Sequence, residues 1–174
     1  MLKTFDKNEL RKMALKKRAS FSRDLSSEVL KKILNSKDFL EAKNIALYVP
    51  IKNEIDITAI LNIKDKKFYL PRCKEDELEF ALFDGFASLK TGNFNILEPQ
   101  GEKINPEILD IIYVPALMAN NKCYRLGYGK GYYDRFFRNN NLKAEKIIVL
   151  AKELVSDDFI EEEFDVPCDF IISA

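Results

Sequence analysis

Between Arg125 and Arg135 the chain reads R-L-G-Y-G-K-G-Y-Y-D-R, with Gly127, Gly129 and Gly131 alternating with Tyr128 and Lys130. Half of the chain's six glycines lie in this short stretch. Glycine accepts positive φ and lets a ligand approach the main chain, so such a bend can turn several N–H groups toward one anion. Arg125 and Lys130 offer positive charge to phosphate, and Asp134 offers a carboxylate to a divalent cation. A helix opening just after the bend adds its positive N-terminal end. The spacing matches neither common phosphate motif. Gly131 is followed by Tyr132 rather than Lys-Ser or Lys-Thr, and residue 132 is not the third glycine of G-x-G-x-x-G. On the residues alone, a glycine-rich turn with aromatic neighbours explains the segment equally well.

The chain has 174 residues and no histidine, which excludes Ser-His-Asp and Cys-His catalysis and every His-dependent metal site. Its chemistry must therefore use carboxylates, Lys and Arg, Tyr, Cys or a cofactor. A nucleotide reaction run by positioning and electrostatics fits that limit. Cys73, Cys123 and Cys168 are odd in number and widely spaced, which argues against a disulfide framework or a zinc site and fits a reducing cytoplasm. A net charge of zero gives no general attraction to nucleic acid or membrane, and no apolar run reaches the roughly 20 residues of a bilayer span. The charge is uneven, however, with a basic stretch over residues 1–20 and an acidic one over 151–174.

The elements that must hold the loop follow from hydrophobic spacing. Leu10, Met13 and Ala14 predict a basic helix over 7–19, and Lys7, Arg11 and Arg18 share one of its faces. Leu25, Val29, Leu30, Ile33 and Leu34 predict a second helix behind a Ser22 cap, with Asp24 in its first turn. Buried strands are expected at 45–49, 67–70 (stopped by Pro71), 110–114, 146–151 and 169–173, with 78–83 in a peripheral antiparallel hairpin. A short helix is expected at 56–61, and another at 131–141 ending in the Asn139-Asn140-Asn141 cluster. Short apolar strands between helices imply one α/β domain, a sandwich with a mostly parallel sheet.

The glycine-tyrosine segment resembles the signature of the 5-formyltetrahydrofolate cyclo-ligase family, also called methenyltetrahydrofolate synthetase. Three other segments agree in order. Lys7-Asn8-Glu9-Leu10-Arg11 resembles the family's K-x-x-L-R; Y-V-P-I-K-N-E-I-D-I-T (residues 48–58) resembles a strand followed by Glu-x-Asp-Thr; and T-G-N-F-N-I-L-E-P (91–99) resembles G-x-x-x-I-x-E-P. Near the C-terminus, residues 164–169 resemble H-D-x-x-x-D, with Phe164 in place of the histidine. Residues 118–123 depart from the family's Phe-Asp and Gly before R-L-G, leaving Asn120 and Asn121 to form the turn.

The resemblance implies a Rossmann-like three-layer fold similar to ribose-5-phosphate isomerase and CoA transferases. It implies conversion of 5-formyltetrahydrofolate, with or without a polyglutamate tail, to 5,10-methenyltetrahydrofolate, consuming ATP with Mg2+. By the same resemblance, ATP contacts Lys7, Arg11 and the run Arg125, Leu126, Gly127, Tyr128, Gly129, Lys130, Gly131, Tyr132 and Tyr133. Lys130 and Arg125 then act on the transferring phosphoryl. Val49, Glu54 and Tyr132 are implied to hold the folate, and Asp134 and Asp165 the metal. The implied enzyme is cytoplasmic, a monomer or weak homo-oligomer.

Plainer explanations stand beside these. Asp134 is also what a helix start favours, Asp165 belongs to an acidic cluster with residues 161–163, and Glu54 is a loop carboxylate. A nucleotide-dependent kinase or sugar-phosphate isomerase on a similar sheet, or a nucleic-acid module using the basic helix, are the competing functions.

Overall fold

A computed structural model of the protein describes residues 6–21 and 24–174. It contains helices α1 (Lys7–Ala19), α2 (Leu25–Leu34), α3 (Lys37–Glu41) and α4 (Tyr132–Asn139). The strands are β1 (Asn44–Ala46), β2 (Lys67–Lys74), β3 (Glu77–Leu82), β4 (Lys90–Thr91), β5 (Leu97–Glu98), β6 (Ile111–Pro115), β7 (Met118–Ala119), β8 (Arg125–Leu126), β9 (Glu145–Leu150) and β10 (Phe170–Ser173). Six of them form one mixed sheet in the order β10-β9-β6-β1-β2-β3, parallel throughout except for the β2–β3 hairpin. Ile45, Ile112, Val114 and Ile148 are fully buried, as expected of parallel strands covered on both faces.

α1 starts at Asp6, whose carboxylate accepts the Asn8 N–H, and it buries Leu10, Ala14 and Arg18 on one face. Capping of α2 differs from the expectation. Asp24 is itself the N-cap, accepting the Ser27 N–H at 3.0 Å, while Ser22 lies outside the described residues. β2 also runs past the expected stop at Pro71, which pairs with Phe80. The β1–β2 register ends at Tyr69, so at Pro71 no described strand is paired on that side and the missing proline N–H breaks no ladder. β1 is shorter than expected, and the short helix after it is a 3-10 turn at Thr58–Asn62.

The sheet order places the site. From β1 the chain winds outward to β2, whereas from β6 it winds the other way to β9. The adjacent carboxyl ends of β1 and β6 therefore bound the crevice where open α/β sheets take their ligands. The loop after β1 carries Glu54, and the segment after β6 leads through the β7–β8 hairpin into the glycine run. Asp110 fixes the other end of these strands by accepting the Lys43 and Asn44 N–H groups, both at 2.8 Å.

Candidate active site

β8 delivers Arg125 and Leu126 into the core, and the chain then turns through Gly127 to Gly131 before α4 begins. All three glycines serve this path, Gly129 through a φ of +101° that side chains rarely adopt. A Cβ at Gly127 would lie 2.9 Å from Arg125 Nη1, so only the bare backbone lets the guanidinium pack against the loop. Gly131 has φ +66°, the left-handed conformation that launches α4 without a side-chain cap. Lys130, at the exposed tip, has no side-chain partner among the described residues. An ammonium so placed is free to meet an incoming anion.

Arg125 is buried: its Nη2 donates to Asp134 Oδ2 at 3.0 Å, and its guanidinium lies 4.9 Å from the Tyr133 ring centre. Asp134 Oδ1 in turn accepts the Val166 N–H at 3.1 Å, which brings Asp165 to the same rim. Asp165 Oδ2 accepts Lys7 Nζ at 2.7 Å and the Glu162 N–H at 2.8 Å. The two implied metal carboxylates are thus neighbours along one short path. Each is held by a cation and a main-chain donor. No group of three or more His, Cys, Asp or Glu suited to a metal occurs among the described residues. Two neighbouring carboxylates nevertheless suit magnesium, which commonly takes only one or two protein carboxylates and keeps several waters. Phe164, at the position of the family's histidine, is exposed and lies under Arg138, 5.4 Å from ring centre to guanidinium.

The α1 face predicted from helical spacing comes together on this loop. Lys7 reaches Asp165, and Arg11 Nε donates to the Gly127 carbonyl at 2.9 Å. Arg18 is buried, donating to the Ala116 carbonyl and, at 3.1 Å, to the Tyr128 hydroxyl. Three cations of the basic stripe are therefore turned inward rather than solvated. Leu126, in contrast, places its side chain in the core and offers the loop only main chain.

Glu54 is no exposed loop acid: its side chain is 4% accessible. Its Oε2 accepts the Ile51 N–H at 2.9 Å and its Oε1 accepts the Tyr128 hydroxyl at 3.2 Å, with Arg18 Nη1 3.8 Å away. Burial raises its pKa above the ordinary glutamate value, against the opposing Ile51 N–H and Arg18 charge. Burial likewise pushes the Tyr128 hydroxyl up to about 12, so it stays protonated and donates at neutral pH. Val49, partly buried against the core, lies on the same loop. Tyr132 stands at the rim with Arg135 5.2 Å from its ring centre.

Sequence reasoning did not single out Arg135, whereas it expected Asn120 and Asn121 to form the turn before the glycine run. Arg135 donates to the Lys130 carbonyl at 2.6 Å and the Asp76 carbonyl at 2.9 Å, clamping the loop to the β2–β3 turn. Asn120 is buried and shapes the β7–β8 turn by accepting the Lys122 and Tyr124 N–H groups. The left-handed residue of that turn is Cys123 (φ +62°) rather than Asn120 or Asn121. No periodicity announces such contacts, although Arg135 does sit within the glycine-tyrosine motif.

Comparison with known proteins covers nearly the whole chain. The sequence model described as the 5-formyltetrahydrofolate cyclo-ligase family matches residues 3–174. A 5-formyltetrahydrofolate cyclo-ligase of Mycoplasma genitalium is 34% identical over 96% of this chain and 97% of its own length. One from Haemophilus influenzae is 29% identical over 92% and 91%. The solution structure of Aquifex aeolicus 5,10-methenyltetrahydrofolate synthetase superposes with a TM-score of 0.85 at 36% identity, covering 96% of this chain and 89% of that one. The corresponding Mycoplasma pneumoniae synthetase gives 0.78 at 29% identity, covering 97% and 98%. This chain belongs to the 5-formyltetrahydrofolate cyclo-ligase family.

Proposed function

We propose that the chain converts 5-formyltetrahydrofolate to 5,10-methenyltetrahydrofolate with consumption of ATP and release of ADP and phosphate, in the crevice between the glycine loop and the Glu54 loop. The observation that carries this reading is that Tyr128 of the glycine loop, two residues from the exposed Lys130, hydrogen-bonds the buried carboxylate of Glu54 on the neighbouring loop. One end suits a polyphosphate, and the other suits the N–H groups of a pterin.

The formyl oxygen of an N-formyl group is a poor leaving group. Transfer of the γ-phosphoryl to that oxygen gives an N5-iminium phosphate. N10 of the same molecule then attacks the formyl carbon and loses its proton, and phosphate leaves with the formyl oxygen. Because N10 is already tethered, holding the folate in a reactive shape supplies much of the acceleration. The protein's remaining task is alignment and charge stabilisation. The loop N–H groups and Lys130 receive the phosphates, with Arg11, through the Gly127 carbonyl, and Arg135, through the Lys130 carbonyl, holding the loop's shape. Arg125 and Lys7 set the carboxylates of Asp134 and Asp165, which would hold Mg2+. That ion would neutralise β- and γ-phosphate charge. Glu54 accepts folate N–H groups, Val49 lines the same pocket, and Tyr132 flanks the substrate at the rim.

We further read residues 1–174 as one domain, a three-layer sandwich of the ribose-5-phosphate isomerase and CoA transferase kind. One continuous core and five strands in parallel pairing support it. Three free thiols support a reducing, cytoplasmic setting. The reaction is tested by labelling the formyl oxygen with 18O. The label should appear in the released phosphate, and its appearance only in water would rule out phosphoryl transfer to that oxygen.

A further inference from the structure

Tyr128 belongs to two parts of the site at once. Its main chain lies in the glycine loop, while its hydroxyl accepts from Arg18 Nη1 at 3.1 Å and donates to Glu54 Oε1 at 3.2 Å. The other Glu54 oxygen is anchored by the Ile51 N–H of its own loop. One carboxylate oxygen is therefore set by the folate-side loop and the other by the phosphate-side loop. Arg18 does not follow either loop, because it is buried and fixed on the Ala116 carbonyl beyond β6. Lys52, beside Glu54, adds a second link by lying 5.1 Å from the Tyr128 ring centre. A rearrangement of the glycine loop around phosphates must carry the Tyr128 hydroxyl with it. Glu54 cannot reorient toward a ligand without keeping or giving up that hydrogen bond.

We infer that the Tyr128 hydroxyl makes nucleotide and folate binding interdependent: phosphates that settle the glycine loop fix Glu54 in its folate-accepting orientation, so that each substrate tightens the other. The inference rests on the assignment of ATP to the glycine loop and folate to Glu54. Tyr128 is then a positioning residue, acting on folate through Glu54. A side chain that merely satisfied buried Arg18 would contribute stability and leave the two affinities independent.

Titration calorimetry separates the two roles. The dissociation constants of a non-hydrolysable ATP analogue with Mg2+ and of 5-formyltetrahydrofolate are each measured with and without a saturating amount of the other. In the parent enzyme each ligand should tighten the other by the same factor, on the order of fivefold or more, since coupling between sites is reciprocal. Tyr128→Phe keeps the ring over Lys52 and removes only the hydroxyl. It should bring that factor to about one, whatever it does to each affinity measured alone. Retention of the parent's factor in Tyr128→Phe would overturn the inference, as would a parent that binds both ligands with no coupling. Tyr128→Met is read in the same way should the phenylalanine variant fail to fold. A parent that does not bind 5-formyltetrahydrofolate at all contradicts the functional reading itself, whereas binding without coupling contradicts this inference alone.

Discussion

Lys130 and Glu54 stand in opposite environments, and each environment suits the role proposed for its residue. The Lys130 ammonium is exposed at a loop tip, and in the proposed reaction it would follow the phosphoryl group as charge moves from ATP to the formyl oxygen. Replacing it by methionine should lower kcat by about 100-fold or more, with folate affinity and fold retained. Near-normal turnover would show that Lys130 is not the neutralising group. Glu54 carries the cost of burial, which raises its native pKa above the ordinary 4.5. A group with a raised native pKa binds more protons folded than unfolded, so its contribution to stability falls as pH rises from the unfolded value through the native one. Urea unfolding across that interval should show this decline in the parent and lose it in Glu54→Gln; equal slopes would place the pH dependence elsewhere. Turnover should instead rise with pH over the same interval as Glu54 ionises.

Among the elements, α1 and α4 approach the loop from separate directions and act differently. α1 supplies cations, whereas α4 supplies Asp134, which receives the buried Arg125 and holds Val166. Removing one partner of a largely buried ion pair leaves the other charge uncompensated, so Asp134→Ala should cost about 3 kcal/mol of stability by denaturant titration. A loss of metal dependence without loss of stability would mean that the Arg125 contact is incidental. The α1 face was readable beforehand because Lys7, Arg11 and Arg18 recur at helical spacing, and a helix long enough to show that period declares its faces. The short apolar runs of β6 and β9 were readable as continuous buried segments rather than by period. β4, β5, β7 and β8 were not, since two-residue strands have no period to detect. Pro71 misled because its tolerance depends on which edge of β2 is unpaired, a property of topology rather than of local sequence. The Tyr128–Glu54 contact joins residues 74 apart in the chain, and nothing local encodes it.

At the scale of the whole molecule, the decisive feature is the reversal of winding between β1 and β6. It opens one crevice and gives each side a loop of different chemistry, glycines and Lys130 on one and Glu54 on the other. The net charge of zero conceals this division, because α1 spends its cations inward on the site while Lys12 and Lys16 remain outside. A kinase on the same sheet would release a phosphorylated acceptor, and an isomerase would not need ATP. The most direct measurement follows the absorbance of the methenyl product with ATP, 5-formyltetrahydrofolate and Mg2+ supplied together and with each omitted in turn. Product should form only when all three are present, one phosphate being released for each methenyl group formed. Product without ATP, or a phosphorylated folate that accumulates without cyclising, would contradict the account.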